Sequence, residues 1–255
     1  MTGDRWLDAL GSDRAQIGMW VVGASSYSAE ICAGAGLDWL LIDQEHAPND
    51  LRSTLTQLQA IAAYPVEVLV RPPSADPVGI KQLLDIGVTD LIVPMIESAE
   101  AAEAVVAATR YPPAGIRGVG SAFARASRWN RVSDYLLTAQ ESISVTVQIE
   151  SAQGLAELEK IARVEGVDAI FIGPADLAAT MGHLGKPEDP AVVSVIEAAL
   201  RTLRELGVPA GVNAFNPVIA RRYIDAGAGF VLVGADVTLL ARGAEALAKE
   251  YGCDA

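Results

Sequence analysis

Lysine is nearly absent from this 255-residue chain. Lys81, Lys160, Lys186 and Lys249 are its only four. Three fall in stretches with a helical pattern and Lys186 lies in a Gly/Pro loop, so none is expected on a strand. A barrel that worked through an imine would need a lysine amine inside it, and none is available here. Cysteine is scarcer still. Cys32 and Cys253 form no metal or disulfide pattern. Surplus positive charge is also lacking. The net charge is −13, which argues against a nucleic-acid surface built from clustered cations. No apolar run approaches the roughly 20 residues of a membrane span. The opening Met1-Thr2-Gly3-Asp4-Arg5-Trp6 has neither the basic nor the apolar part of a secretory signal, so a cytoplasmic location is expected.

What is present is apolar material in a repeated arrangement. Hydrophobic residues make up 51% of the chain and charged ones 20%, enough for a large core. Short runs rich in Val, Ile and Leu begin near Ile17, Trp39, Val66, Asp90, Val145, Asp168, Pro209 and Phe230. They read as buried parallel strands. Helical stretches lie between them. Asp76-Pro77 opens one and Gly87 closes it. Ser98-Ala99-Glu100 opens another, stopped by Tyr111-Pro112-Pro113, and a third runs from Asn216-Pro217 to Gly227. No break in composition marks a second domain. Eight strand–helix units predict a single (β/α)8 TIM barrel over residues 1–255, with all strand carboxyl ends on one face.

Polar residues gather at those carboxyl ends. Asp43, Glu45 and His46 follow Trp39-Leu40-Leu41-Ile42; Arg71 follows Val68-Leu69-Val70; Glu150 follows Val147-Gln148-Ile149; Asp176 follows Phe171-Ile172 by a short turn. Two carboxylates without thiolates suit a hard divalent ion such as Mg²⁺ or Mn²⁺. Asp176 alone could equally be a helix N-cap, but Glu150 ends a strand and has no such role. Gln148, two residues earlier, shares a strand face with Glu150 and could hydrogen-bond a ligand below it. His46 sits beside two acids, a general-base environment. His183 has no adjacent acid in its loop and reads as surface. Arg71 ends a buried run. It serves either as a clamp on an anion or as an internal ion pair to Glu45 or Glu150.

One connection is unusually long. It runs from Tyr111 to Ser144, is rich in Gly and Arg, and has a short helix expected over 133–141. Gly118-Val119-Gly120 follows no strong strand and lacks a third glycine, so a dinucleotide fingerprint is rejected. A loop that contacts substrate and a loop that contacts another subunit are both open readings.

Four motifs together carry a resemblance. Asp43-Gln44-Glu45-His46-Ala47-Pro48-Asn49-Asp50, Arg110-Tyr111-Pro112-Pro113-Ala114-Gly115-Ile116-Arg117-Gly118, Gln148-Ile149-Glu150 and Phe171-Ile172-Gly173-Pro174-Ala175-Asp176-Leu177 resemble the HpcH/HpaI family of class II pyruvate aldolases, from about Gly18 to Leu247. The resemblance implies a metal-dependent barrel that cleaves and forms 4-hydroxy-2-oxo acids from pyruvate and an aldehyde, within aromatic-compound catabolism. It implies that Glu150 and Asp176 hold Mg²⁺, Mn²⁺ or Co²⁺, that His46, oriented by Asp43, is the base, and that Arg71 binds the keto-oxygen side. The amides of Ala175 and Asp176 would hold the pyruvate carboxylate. Asp85 and Glu45 are weaker candidates, Asp85 by reaching a neighbour's site. A homohexamer is implied, with the last helix, about 236–250, exchanged between subunits. Gln44 stands where close relatives carry glycine, which bears on the acceptor aldehyde.

Two rivals share the barrel. A CoA-ester lyase of the malyl-CoA or citryl-CoA type uses similar acids, but is longer and carries basic residues for CoA phosphates. A phosphate-binding barrel would use the turns after the last two strands, Asn213-Ala214-Phe215 and Gly234-Ala235-Asp236, which have little glycine for a nest.

Overall fold

The computed structural model describes residues 5–253; Met1–Asp4, most of the opening segment considered above, lie outside them. Eight parallel strands close a barrel in chain order: β1 (Gln16–Val21), β2 (Trp39–Asp43), β3 (Glu67–Arg71), β4 (Asp90–Val93), β5 (Ser144–Ile149), β6 (Ala169–Ile172), β7 (Ala210–Asn213) and β8 (Phe230–Ala235). Every strand begins within one residue of its expected start. Strands β2, β4, β5 and β6 are buried along their whole length, because helices cover one face and barrel side chains the other.

Two apolar clusters result. The larger lies between strands and helices and includes Leu40, Ile42, Val70, Val147 and Val212. The smaller fills the barrel with Trp39, Leu41, Leu69, Ile92, Phe171, Phe230 and Leu232. Trp6, from the helix Arg5–Leu10, plugs the barrel against Trp39 and Phe230, with ring centroids 5.2 and 5.4 Å away. Trp39 and Phe230 start their strands, so this stack seals the amino end of the barrel. Gly18 makes the stack possible: a Cβ there would lie 2.5 Å from the Trp39 ring.

Helix boundaries follow local chemistry. Asp76 caps Pro77–Asp85 by accepting from the Gly79 amide at 2.9 Å, and Gly87 leaves the helix at φ +97°. Ser98 caps Ala99–Thr109, and Asn216 caps Pro217–Ala226. All four lysines lie off the strands, as expected.

The long connection corrects one expectation. Chain order returns the helix Ala99–Thr109 to the amino end of the barrel, so the segment before β5 lies opposite the strand carboxyl ends. It cannot touch substrate in its own barrel. It packs on the end of the helix Pro77–Asp85 instead. Arg117 Nη2 donates to Asp85 Oδ1 at 2.8 Å, Arg125 Nη1 to the Ile86 carbonyl at 2.9 Å, and the Ala126 amide to the Asp85 carbonyl at 3.1 Å. The buried Arg117 guanidinium lies 4.5 Å from the Tyr111 ring centre. The expected short helix is a single turn, Tyr135–Thr138, followed by the 3-10 turn Ala139–Ser142.

Candidate active site

Asp43 organises the turn after β2. Its carboxylate, almost fully buried, accepts from the backbone amides of Glu45 at 3.0 Å and His46 at 3.3 Å. The same carboxylate takes a two-pronged contact from Arg71, Nε and Nη2 each at 2.8 Å. Arg71 and Asp43 are register partners on β3 and β2, so strand pairing brings them together. Arg71 Nη1 reaches Glu45 Oε2 at 2.8 Å, an ion contact without hydrogen-bond alignment. The ion-pair expectation for Arg71 is met at Glu45, and Asp43 is a stronger partner than either acid anticipated. Asn49, further along the motif, donates to the carbonyls of Val21 and Asp43 and ties the loop to β1 and β2.

This geometry revises how Asp43 serves His46. Asp43 holds the backbone of His46 and is spent on Arg71. The carboxylate beside the imidazole is Glu45, with His46 Nε2 and Glu45 Oε2 3.9 Å apart. The His46 side chain is 66% exposed and free to meet a substrate. His183 does have an acid, Asp189, at 3.0 Å, six residues on and invisible as a neighbour in the sequence.

Glu150 sits across the barrel mouth on the far side of β3. It is only 2% exposed. The Met95 amide donates to its Oε1 at 2.9 Å and Gln148 Nε2 to its Oε2 at 2.5 Å. Met95 has φ +58°, a left-handed backbone that costs a non-glycine residue about 1–2 kcal/mol and here aims an amide into the site. Gln148 Oε1 lies 3.4 Å from Arg71 Nη1, so glutamine bridges the acid and the guanidinium. Burial pushes the Glu150 carboxyl up to about 7; the nearby Glu45 and Asp176 carboxylates push the same way, and the Met95 amide and Arg71 only partly offset them. Glu45 is raised too, chiefly by burial, with Asp43 and Asp176 adding.

Asp176 lies in the first turn of the helix Pro174–Thr180, and Gly173 is the N-cap. Asp176 is therefore not a capping acid. The first backbone bond of that helix is Leu177 N–H to the Gly173 carbonyl at 3.2 Å, so the Ala175 and Asp176 amides precede it. Gly173 passes so close to the acid that a Cβ there would lie 2.6 Å from Glu150 Oε2.

Trp20 went unread in the sequence, and Asn213 was weighed only as part of a phosphate turn. Trp20 of β1 lies under Arg71, with the guanidinium carbon 4.4 Å from the ring centre. Its Nε1 donates to Asn213 Oδ1 of β7 at 2.9 Å. An aromatic on β1 two positions from Gly18, whose place faces the Trp39 ring, was the available signal. Gln44, by contrast, turns away onto Thr54 Oγ1 at 2.8 Å.

The comparisons with known proteins bear on this arrangement. The family model described as "HpcH/HpaI aldolase/citrate lyase" matches residues 16–243. A protein of Salmonella arizonae called "4-hydroxy-2-oxo-heptane-1,7-dioate aldolase" is 57% identical over 247 residues, 97% of this chain and 94% of that protein. The chain belongs to the HpcH/HpaI family. It is an enzyme, a carbon–carbon lyase of the aldolase type. A crystal structure of an HpcH/HpaI family protein from Burkholderia cenocepacia J2315 superposes with TM-score 0.92 at 41% identity, covering 97% of this chain and 99% of that one. An HpcH/HpaI aldolase from Desulfitobacterium hafniense DCB-2 gives 0.83 at 28%, covering 96% and 95%. Near-complete coverage by an aldolase favours that reading over the CoA-ester rival.

HpcH/HpaI aldolases use a divalent metal, and the residues present fit one. The donors are hard carboxylate oxygens, and Glu150 is a buried acid whose neighbours are further acids. Among the described residues no three His, Cys, Asp or Glu converge as a closed cage. Two carboxylates with open positions suit an ion that keeps water and substrate as ligands. The phosphate rival fails on geometry. Asp236, at the end of β8, already takes the amides of Val22, Gly23 and Val237 at 2.9, 3.0 and 2.8 Å. Asp85 lies at the amino end of its own barrel, paired with Arg117, and could serve only another subunit's site.

Proposed function

We propose that this aldolase catalyses reversible cleavage and formation of 4-hydroxy-2-oxo acids, with pyruvate, or a close 2-oxo acid, and an aldehyde as partners. The observation that carries the reading is the mouth itself: a buried acid among acids after β5, a buried guanidinium at the end of β3 and an exposed histidine in the turn after β2. Glu150 and Asp176 would hold Mg²⁺, Mn²⁺ or Co²⁺. Bound there, the ion would supply the positive charge that polarises a 2-oxo acid and acidifies its methyl group. The Ala175 and Asp176 amides would take the carboxylate of the 2-oxo acid, with Gln148 donating below. Arg71, braced by Asp43 and Glu45, would donate to the keto oxygen as negative charge develops there.

His46 would move the proton. In the addition direction it takes a proton from the methyl carbon. The enolate carbon then bonds to the aldehyde carbon, and the protonated imidazole returns the proton to the new alkoxide oxygen. In cleavage it takes the hydroxyl proton, the C3–C4 bond breaks, the aldehyde leaves and the enolate is reprotonated on carbon. The name of the Salmonella relative suggests a seven-carbon diacid, which would split into pyruvate and 4-oxobutanoate. We also propose a cytoplasmic homohexamer in which the last helix is exchanged and Asp85 reaches a neighbour's site. The described residues contain no helix long and apolar enough to cross a membrane.

The test follows pyruvate methyl protons into D₂O by NMR beside retro-aldol cleavage. Chelator should stop both, and Mg²⁺, Mn²⁺ or Co²⁺ should restore them. His46→Ala should slow both by about 10²–10⁴-fold with metal affinity unchanged. Full turnover after exhaustive chelation, or borohydride trapping of substrate on a lysine, would overturn the reading. Wild-type exchange in the mutant would assign the base elsewhere.

A further inference from the structure

Asn213 ends β7 and pairs in register with Leu232 of β8, a member of the barrel-filling cluster. Parallel register neighbours point to the same face, so Asn213 faces inward at the mouth. It stands two positions beyond Gly211, which faces the Phe230 ring in the layer below. Its carboxamide has one fixed orientation. Indole Nε1–H can only donate, so the atom it meets on Asn213 must be the oxygen. Oδ1 is thereby committed to Trp20, and Nδ2 must point the other way. Among the described residues, no acceptor takes a hydrogen bond from Nδ2.

Trp20 thus joins two parts of the mouth, with Arg71 over its ring and Asn213 at its edge. Asn213 also lines a cavity of about 170 Å³ together with Pro174, Ala175, Phe215 and Tyr223. Ala175 begins the turn whose amides we assign to the 2-oxo acid. The far wall of this cavity is formed by Ile219 and Tyr223 of the helix Pro217–Ala226, which packs outside the strands, and by Glu188. The inward-facing Nδ2 looks instead into the barrel mouth beside Trp20 and Arg71, and that space fits the rest of the second substrate. Gln44, turned onto Thr54, takes no part in it.

We infer that Asn213 is the residue that selects the acceptor aldehyde: its Nδ2 donates to an oxygen carried on the aldehyde's chain, and Trp20 holds the amide in the donating orientation. This rests on the aldolase reading and names its second substrate class, an aldehyde with a carboxylate or hydroxyl group. A purely alkyl aldehyde would leave the donor unpaired.

The test measures kcat/KM for pyruvate addition to 4-oxobutanoate, to glycolaldehyde and to propanal, with methyl exchange of pyruvate alone as reference. Wild type should prefer one or both oxygenated aldehydes over propanal. Asn213→Leu should lower that preference roughly tenfold to hundredfold, the larger figure applying to a charged acceptor. Asn213→Asp keeps the shape and the acceptor for Trp20 but loses the donor. It should reject 4-oxobutanoate more strongly than glycolaldehyde, because a carboxylate is repelled by the new charge whereas a hydroxyl can turn and donate to it. Trp20→Phe should lower the preference in the same direction, because the amide is then free to turn. A wild-type preference ratio in both Asn213 variants, with methyl exchange still running, overturns the inference. No methyl exchange in the wild-type enzyme would overturn the aldolase reading instead. If Asn213→Leu fails to fold, the isosteric Asn213→Asp carries the decision.

Discussion

Glu150 is a carboxyl whose surroundings disfavour its charge, and this has a measurable consequence. Its folded value is about 7, above the ordinary 4.5. Between those values the metal-free folded protein holds a proton that the unfolded chain has lost. Stability should therefore fall as pH rises through this window and level off above it, by an amount on the order of 3 kcal/mol for so buried a group. A divalent ion must displace that proton. We expect Mn²⁺ affinity, measured by calorimetry, to rise roughly tenfold per pH unit up to about pH 7 and then flatten. Glu45 is shifted in the same direction and would reinforce the trend. A dissociation constant that does not change from pH 5.5 to 7.5 would remove Glu150 from the metal site. Arg71 illustrates what this scale hides from sequence. Its strand-end position is plain in the chain, but its two-oxygen grip on Asp43 depends on the β2–β3 register.

At the scale of elements, the turn from β6 into the helix Pro174–Thr180 decides how close Glu150 and Asp176, the proposed metal acids, come. Gly173 has φ −94°, which any residue adopts, so glycine is there for room and not for backbone freedom. A methyl at this place would lie 2.6 Å from Glu150 Oε2 and 2.8 Å from Gln148 Nε2. Gly173→Ala should push Glu150 aside, cost about 1–3 kcal/mol and weaken metal binding at least tenfold. Gly234→Ala is the comparison, since a Cβ there meets nothing within 4 Å. Equal metal affinity in the two variants would mean that the turn does not set the site. Strand starts and helix caps were legible because burial and capping act over a few residues. The long loop left two readings open, substrate contact and subunit contact, and helix–strand alternation removes the first within its own barrel by putting the loop at the sealed end.

At the scale of the molecule, the last helix, Asp236–Glu250, is mismatched to a lone barrel. Only Asp236 on it is buried, while Leu239, Leu240 and Leu247 are 63%, 74% and 60% exposed. Leucines left in water at helical spacing cost free energy that burial against another subunit would recover. Leu240→Asp together with Leu247→Asp should lower the native mass measured by light scattering from that of the proposed hexamer, with the circular dichroism of the barrel retained. An unchanged mass would mean that this helix does not hold the assembly.

The amino-acid sequence by itself determined the barrel, the strand starts, the placement of every lysine off the strands and the set of polar residues at the strand ends. Those properties follow from local apolar runs, from helix punctuation and from composition. Only the tertiary structure decided the pairings: Asp43 with Arg71 and not with the His46 ring, Glu150 with Gln148 and the Met95 amide, Trp20 with Asn213. Asp43–Arg71 and Trp20–Asn213 join different strands, the Met95 amide exploits a left-handed backbone, and Gln148 is turned onto Glu150 within a single strand. The physical reason is that strand register and barrel closure set which side chains meet, while the linear order of residues sets only which face each one can reach.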